Sequence, residues 1–198
     1  MADYYFDVET YTSGEKPNPT TDKIIAITLQ HMDTRDGSAF GPPILLTEWK
    51  DDALLPDGEK QLLTQFHSMY FRDKSSFAFV LVGSNILRFD LIAVASGWKR
   101  HGLNVHLGEL YHNRLHYDIF TTQVLCNGGH IKDCGLDKLT NKQSNGSQVA
   151  SWYVAHNYKA IEEYAKQEAQ SFLEFYRHLV KNMPSLLDSF PKGQPASR

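Results

Sequence analysis

Two acidic residues, Asp7 and Glu9, interrupt an otherwise apolar segment near the start of the chain, YYFDVETYT. The aromatic and β-branched residues around them predict a strand, and strand alternation places Tyr5, Asp7 and Glu9 on one face. Two carboxylates about 7 Å apart on a sheet face repel each other, and burying them unpaired costs several kcal/mol or protonates one. A divalent cation removes both problems, because it neutralises the charge and takes the oxygens as ligands. The alternative is a strand end that leaves both acids in solvent.

A third acidic residue, Glu168, lies in a strongly helical segment that the sequence predicts from Ala160 to Asn182. With Ile161 at zero and 100° per residue, Glu168 falls about 20° from the centre of an apolar stripe. The other members of this stripe are Ala165, Phe172, Phe175, Tyr176 and Leu179. Tyr164 lies one turn before Glu168, near the same edge. The pattern predicts that Glu168 and Tyr164 point into a site, and the alternative is a glutamate that extends past the apolar side chains to solvent.

A fourth acidic residue, Asp90, belongs to the segment VLVGSNILRFD. Here a buried strand is predicted to end at Gly83, and a helix to begin near Ile86 with Asp90 in its first turns. Asn85 lies at the junction, where a polar side chain can point into the crevice at the carboxyl end of a strand. The alternative for Asp90 is a simple partner of the helix dipole.

Length and composition favour one globular domain. The chain has 198 residues, of which 41 % are hydrophobic and 12 % aromatic, enough for a sizeable core. Its formal net charge of −3 argues against a protein that coats nucleic acid nonspecifically, and two cysteines are too few for a disulfide scaffold. The chain shows neither an apolar run of membrane-spanning length nor a secretory signal, so we expect a soluble, cytoplasmic protein without membrane contacts.

The order of predicted elements is three strands, a helix, a strand and then helices, which indicates an α/β protein with a mixed sheet. The first helix is expected after Asp57 as its N-cap, and Gly102 is expected to end the second. Short helices are expected near YDIFTTQVL, GLDKLTNK and SQVASWYVAH. Residues 1–182 are expected to form the domain and residues 183–198, which contain three prolines, a flexible C-terminal tail.

Three motifs in this order resemble those of the DEDD superfamily of 3′–5′ exonucleases. They are FDVET, with Asp-x-Glu in a strand; VGSNILRFD, with Gly-x-Asn-x-x-x-Phe-Asp; and EYAKQEAQSFLEFYRHL, with a tyrosine four residues before an acid. The resemblance runs from about residue 2 to about 182. It is closest to the tyrosine branch (DEDDy), which is related to the proofreading domain of family-B DNA polymerases. It implies a ribonuclease H-like fold, in which an antiparallel meander and parallel strands form a mixed sheet flanked by helices.

The resemblance also implies a role for each site residue. Asp7 would bridge two metal ions, Glu9 and Glu168 would complete the site of the first, and Asp90 would hold the second. Tyr164 would position the attacking water. The ions implied are Mg²⁺ or Mn²⁺, which suit ligands that are all oxygen.

The expected substrate is the 3′ end of single-stranded DNA or RNA. Asn85 and Phe89 are candidates for contacting its terminal nucleotide, Phe89 by stacking, although Phe89 can equally be a core residue. A DNA polymerase or DNA repair protein is an expected partner. Asp118, in LHYDIF, matches an acidic position of the relatives and is either a partner of the site or a helix cap.

The sequence departs from the family pattern at two positions. The last acid is Glu168 where the family has Asp, and residue 84 is Ser where many relatives have His. Residue 163, where the histidine branch needs His, is Glu, which favours the tyrosine branch. Glu168 motivates a second hypothesis, a catalytically degraded module that binds nucleic acid or a partner as a scaffold. A further alternative is a partial zinc site formed by Cys126, His130 and Cys134 in CNGGHIKDC, although Gly128 and Gly129 disfavour the helix it would need.

Overall fold

The computed structural model of the protein describes residues 3–14, 16–72, 79–139 and 146–189. The strands are β1 Asp3–Tyr11, β2 Lys23–Met32, β3 Ile44–Thr47, β4 Trp49–Lys50, β5 Ala53–Leu54, β6 Val80–Gly83 and β7 His116–Asp118. The helices are α1 Gly58–Tyr70, α2 Asp90–Arg100, α3 Leu107–His112, α4 Phe120–Cys126, α5 Leu136–Leu139, α6 Val149–Val154 and α7 Tyr158–Ser189. A 3₁₀ turn, Gly146–Gln148, precedes α6. Within these ranges, no helix combines the length and the apolar composition that crossing a lipid bilayer requires.

Five of the strands form one mixed sheet in the order β3-β2-β1-β6-β7, which confirms the predicted fold class. The first three strands are antiparallel neighbours, whereas β6 and β7 run parallel to β1. The pairing of β6 with β1 covers only Asp3 to Tyr5, so the part of β1 that carries Asp7 and Glu9 extends beyond β6. Strands β4 and β5 pair separately as a small hairpin.

Strand β1 separates two apolar cores, as its alternating pattern predicts. Phe6 and Val8 belong to the core that α1 and α2 cover. Tyr5 belongs to the core on the opposite face, where its ring packs against Phe172 of α7 with the ring centroids 4.5 Å apart. Since Asp7 and Glu9 alternate in step with Tyr5, both lie on the face covered by α7.

The backbone is irregular at two points beside these acids. The register between β1 and β2 shifts between Glu9 and Thr10, because β2 carries one extra residue there, a bulge that ends the regular alternation just after Glu9. At the end of β6, Gly83 lies so close to β1 that a Cβ at this position would be 2.6 Å from the carbonyl oxygen of Phe6 and would also overlap Ile86. The turn that follows therefore needs glycine at residue 83.

Two helix boundaries differ from the prediction. Helix α2 begins at Asp90 rather than near Ile86, because the backbone of Phe89 (φ −130°, ψ −67°) departs from helical geometry. Turns closed by hydrogen bonds from the backbone N–H groups of Arg88 and Phe89 to the carbonyl of Asn85 fill the gap. Helix α7 begins two residues earlier than predicted and continues past residue 182 to Ser189. The division into a domain of residues 1–182 and a flexible tail stays a prediction, and residues 190–198 lie outside the described ranges.

The remaining predictions for single elements are mostly confirmed. The short helices α4, α5 and α6 lie where the sequence predicts them, and Gly102 (φ 72°) follows the end of α2. Asp57 occupies the N-cap position of α1, but within the described residues its side chain makes no capping hydrogen bond. Helix α3 and the short strands β5 and β7 were not predicted.

We predict that Gly83→Ala destabilises the fold by about 1–3 kcal/mol, because the added methyl group overlaps a backbone carbonyl and a packed side chain. Urea unfolding followed by circular dichroism measures the loss. Gly108→Ala in α3 is the matched control, since a Cβ there meets nothing within 4 Å. That variant is expected to be neutral or more stable by up to about 1 kcal/mol. Equal effects of both substitutions would contradict the close approach at residue 83.

Candidate metal centre

Three carboxylates from distant parts of the chain meet at one point of the sheet. Asp7 and Glu9 of β1 and Glu168 of α7 each offer an oxygen, and these oxygens lie within 4.8 Å of one another. Glu9 is only 8 % exposed, whereas Asp7 and Glu168 are half-buried. Among the described residues this is the only group of three or more metal-binding side chains so arranged. The structure thus brings together three of the four acids that were predicted as site residues from the sequence.

The fourth acid, Asp90, is tied to the same strand by a hydrogen bond. It is the first residue of α2, and its Oδ1 accepts a hydrogen bond of 2.9 Å from the backbone N–H of Val8, the residue between the two acids of β1. Asp90 is 5 % exposed. Burial raises the pKa of Asp90 well above its ordinary value, and the negative charge of Asp7 raises it further. A cation bound nearby would favour the ionised form instead.

Tyr164 is buried beside the acids, one turn before Glu168 on α7. Burial raises its pKa far above the ordinary value for tyrosine, and the charges of Glu9 and Glu168 and a hydrogen bond to Glu168 raise it further. The hydroxyl is therefore protonated at neutral pH and serves as a hydrogen-bond donor. The ring of Trp152 in α6 packs against the ring of Tyr164, with the centroids 6.0 Å apart.

Tyr5 is a second tyrosine near the acids, and it was not predicted as a site residue. Burial raises its pKa well above the ordinary value, and the charges of Asp7 and Glu168 add to the shift. The signal was available, since Tyr5 precedes Asp7 by two residues on the same face of the strand. Its aromatic character suggested a core residue, which it also is.

A cleft of about 510 Å³ opens beside Glu9. Phe89 lines it, together with Val8, Glu9, Thr10, Thr12, Pro17, Gly146, Ser147 and Ala150. Phe89 is half-buried and shares the lining of this cleft with Glu9, one of the three acids. Asn85, the other predicted substrate contact, is half-buried and lies four residues before Phe89, in the segment between β6 and α2. The contribution of Gly146 and Ser147 was missed, because the sequence between 103 and 157 has no clear periodicity.

The proposed zinc ligands do not form a comparable group within the described part of the chain. Cys126 is exposed at the end of α4, whereas Cys134 is buried. Neither cysteine joins His130 in a metal-binding arrangement, because the acidic group is the only one found among those residues.

The chemistry of the acidic group fits a hard divalent cation. All of its donors are carboxylate oxygens, the ligands that Mg²⁺ and Mn²⁺ prefer. The raised pKa of Asp90 and of both tyrosines has one cause in common besides burial, an excess of negative charge. A cation at this point would remove that excess.

No protein-family model and no curated protein matches the chain. Among solved structures, the zinc-ion-bound form of E. coli exonuclease I with single-stranded DNA superposes with a TM-score of 0.62 at 14 % identity. The complex of the same enzyme with a dT13 oligonucleotide also gives 0.62 at 14 % identity, and an exonuclease I complex with SSB-Ct gives 0.61 at 14 % identity. The chain has the fold of exonuclease I. Each match covers 94 % of this chain but 42 % of the neighbour, so the chain spans about two fifths of the exonuclease I length.

This similarity confirms the predicted ribonuclease H-like fold. At 14 % identity it shows the fold alone, and the activity of exonuclease I is not transferred by it. The roles of the acidic residues therefore rest on their geometry in this structure.

We predict that Asp90→Asn gains stability relative to the wild type as the pH rises from about 4 to 8 in the presence of a chelator. Below its ordinary pKa, near 3.8, Asp90 is protonated in both the folded and the unfolded chain. At higher pH the unfolded chain releases the proton first, because the folded pKa is raised, so the free energy of unfolding of the wild type falls. Asparagine does not titrate, and its Oδ1 can still accept the hydrogen bond from Val8.

Urea unfolding at several pH values measures this difference. Asp33→Asn is the control, because hydrogen bonds from Arg35 lower the pKa of half-buried Asp33 to about 2. Its contribution to stability is complete above the ordinary pKa and lost only at lower pH, so this variant should differ from wild type by a constant amount between pH 5 and 8. A constant difference for Asp90→Asn as well would contradict the raised pKa of Asp90.

Proposed function

We propose that the protein is a 3′–5′ exonuclease that uses two divalent metal ions to hydrolyse phosphodiester bonds at the 3′ end of single-stranded DNA or RNA. The observation that carries this proposal is the convergence of Asp7, Glu9 and Glu168 within 4.8 Å, on the fold of a single-strand exonuclease. Asp90 supports it, since its carboxylate is anchored to the strand between the first two acids.

The acidic residues would hold the metal ions. Asp7, Glu9 and Glu168 would bind one ion, and Asp90 with Asp7 would bind the second. Mg²⁺ or Mn²⁺ bound there would lower the pKa of a bound water and neutralise charge on the phosphate. The zinc-bound form of exonuclease I supports the use of a divalent ion by this fold.

Tyr164 would contribute a hydrogen-bond donor rather than a base. Its raised pKa keeps the hydroxyl protonated, and the hydroxyl, which donates to Glu168 in this structure, could orient a water molecule or a phosphate oxygen once Glu168 binds an ion. The placement of Tyr164 one helical turn before Glu168 supports assignment to the tyrosine branch (DEDDy). The relation of that branch to the proofreading domain of family-B polymerases rests on the motifs alone.

The cleft beside Glu9 would receive the terminal nucleotide. Its volume, about 510 Å³, lies within the range of small-molecule pockets, and Phe89 offers a ring on which a base can stack. Asn85 would contribute a polar contact from the same loop. The complex of exonuclease I with dT13 supports single-stranded DNA as a ligand, and its complex with SSB-Ct supports a further binding partner. A DNA repair protein as that partner stays a prediction. A polymerase partner has no such support and stays a prediction.

The competing function is a scaffold in which the same site has lost its activity. Glu168 favours this function, because glutamate is one methylene longer than the family aspartate and would shift a bound ion by about a bond length. The half-buried position of Glu168 within reach of Asp7 and Glu9 argues against it, since the longer side chain still meets the other ligands.

We predict that Asp7→Asn lowers nucleotide release by at least about 10²-fold, because it removes the carboxylate shared by both ions. The assay uses single-stranded DNA and RNA labelled at the 5′ end, with Mg²⁺, with Mn²⁺ and with a chelator. Digestion from the 3′ end gives a ladder of shortened labelled products, whereas the opposite polarity releases labelled mononucleotide at once. Asp33→Asn, far from the site, should cleave as the wild type does. Undiminished cleavage by Asp7→Asn would refute the assignment.

Binding of Mn²⁺ should stabilise the folded protein independently of any cleavage. At 100 times the dissociation constant the gain is about 2.7 kcal/mol, which corresponds to a rise in Tm of about 5–10 °C. The rise should disappear in Glu168→Gln and persist in Glu174→Gln, an exposed glutamate on the same helix. A wild-type melting curve that Mn²⁺ leaves unchanged would favour the scaffold.

A further inference from the structure

The carboxylate of Asp118 joins the end of β7 to the loop that precedes Asp90. Its Oδ1 accepts hydrogen bonds from the backbone N–H groups of Asn85 at 2.8 Å and Phe120 at 2.9 Å, and its Oδ2 accepts one from Leu87 at 3.0 Å. The bond to Phe120 caps the start of α4. The other two reach across 33 and 31 residues of sequence, which a local cap does not explain.

The segment that Asp118 holds is the loop of residues 84–89, which we call the 84–89 loop. It contains Asn85 in a left-handed conformation and ends with Phe89 on the cleft beside Glu9. A second anchor holds its first residue, because the hydroxyl of Ser84 donates a hydrogen bond to Oε1 of the fully buried Gln123 in α4. The outer side of this loop faces solvent, since Leu87 is 40 % exposed.

A carboxylate that accepts three backbone N–H groups is a strong and specific anchor. Hydrogen bonds to an ionised acceptor are roughly twice as strong as those between neutral groups. Ile86, in the middle of the loop, is fully buried in the core. Asp118 holds the backbone on either side of it, at Asn85 and Leu87, so the conformation of the loop depends on both anchors. The position of the Phe89 ring follows from that conformation.

The metal ligand that follows the loop has its own, separate anchor. The carboxylate of Asp90 is held by Val8 of β1, and the backbone N–H of Leu91 donates to the carbonyl of Ile86 at 2.9 Å. Asp118 does not belong to the acidic group, which Asp7, Glu9 and Glu168 form. Loss of Asp118 should therefore disturb the 84–89 loop and leave the metal centre intact.

We propose that Asp118 is a positioning residue that fixes the 84–89 loop so that Asn85 and Phe89 can receive the 3′-terminal nucleotide. This inference rests on the proposed function, because it assigns the loop a substrate. It separates two tasks within one site: β1, α2 and α7 hold the metal ions, and Asp118 at the end of β7 positions the loop that contacts the nucleic acid.

The test compares Asp118→Asn and Asp118→Ala with the wild type. An amide replaces one acceptor oxygen by a donor, so whichever way it turns it meets at least one backbone N–H that it cannot accept. For Asp118→Asn we expect KM for a short single-stranded oligonucleotide to rise about 10-fold and kcat to change less than about threefold. The rise in Tm with Mn²⁺ should stay as in the wild type. Amide hydrogen exchange at Asn85 and Leu87 should become faster by a similar factor.

Asp33→Asn is the matched control, because Asp33 also accepts a backbone N–H, from Arg35, in a turn remote from the site. It should leave KM and the exchange at Asn85 unchanged. Unchanged KM in Asp118→Asn, or loss of the Mn²⁺ effect together with the rise in KM, would overturn the proposal. If Asp118→Ala does not fold, Asp118→Asn carries the test. If the wild type neither binds nor cleaves oligonucleotides, the proposed function fails. Unchanged amide hydrogen exchange at Asn85 and Leu87 in Asp118→Asn would show, independently of any activity, that Asp118 does not fix the loop.

Discussion

Repulsion among carboxylates is the constraint on which the rest of this structure depends. Acids from β1, α2 and α7 approach one another, and burial together with the negative charge of Asp7 raises the pKa of Asp90. Apolar packing on both faces of β1 opposes this repulsion. Phe6 and Val8 fasten the strand to one core, and Tyr5 fastens it against Phe172 in the other. The burial of such side chains, at about 25 cal/mol per Å², holds the acids in place before any ion binds.

The sequence was sufficient for the parts of the site that lie in regular elements. The two-residue period of β1 places Asp7 and Glu9 on one face, and the 3.6-residue period of α7 places Glu168 among apolar residues that must face the sheet. The start of α2 and the position of β7 depend on tertiary contacts instead. Helix α2 starts late because the backbone of Phe89 is not helical, which no periodic pattern encodes. Strand β7 escaped prediction because it is three residues long and only partly buried, so its pairing with β6 is set by its neighbours rather than by its composition.

The arrangement of strands explains why the loop before Asp90 can adopt such an irregular path. Residues Gly83 and Asp118 end their parallel strands side by side, so side chains that follow one strand reach the backbone that follows the other. This is the crevice at the carboxyl ends of parallel strands in which α/β proteins commonly bind ligands. The antiparallel half of the sheet carries the first two acids, and the parallel half supplies the loop.

The early end of β6 leaves part of β1 without a neighbour on that side, and Asp90 takes the place of the missing strand. The backbone N–H of Val8 has no partner strand on this side, and it donates its hydrogen bond to the carboxylate of Asp90 instead. Val8 is buried, and a buried backbone N–H without an acceptor costs free energy comparable to a lost hydrogen bond. The same carboxylate that is suited to metal binding thus also closes a gap in the middle of the sheet, and a residue at position 90 without an acceptor would leave a buried donor unsatisfied.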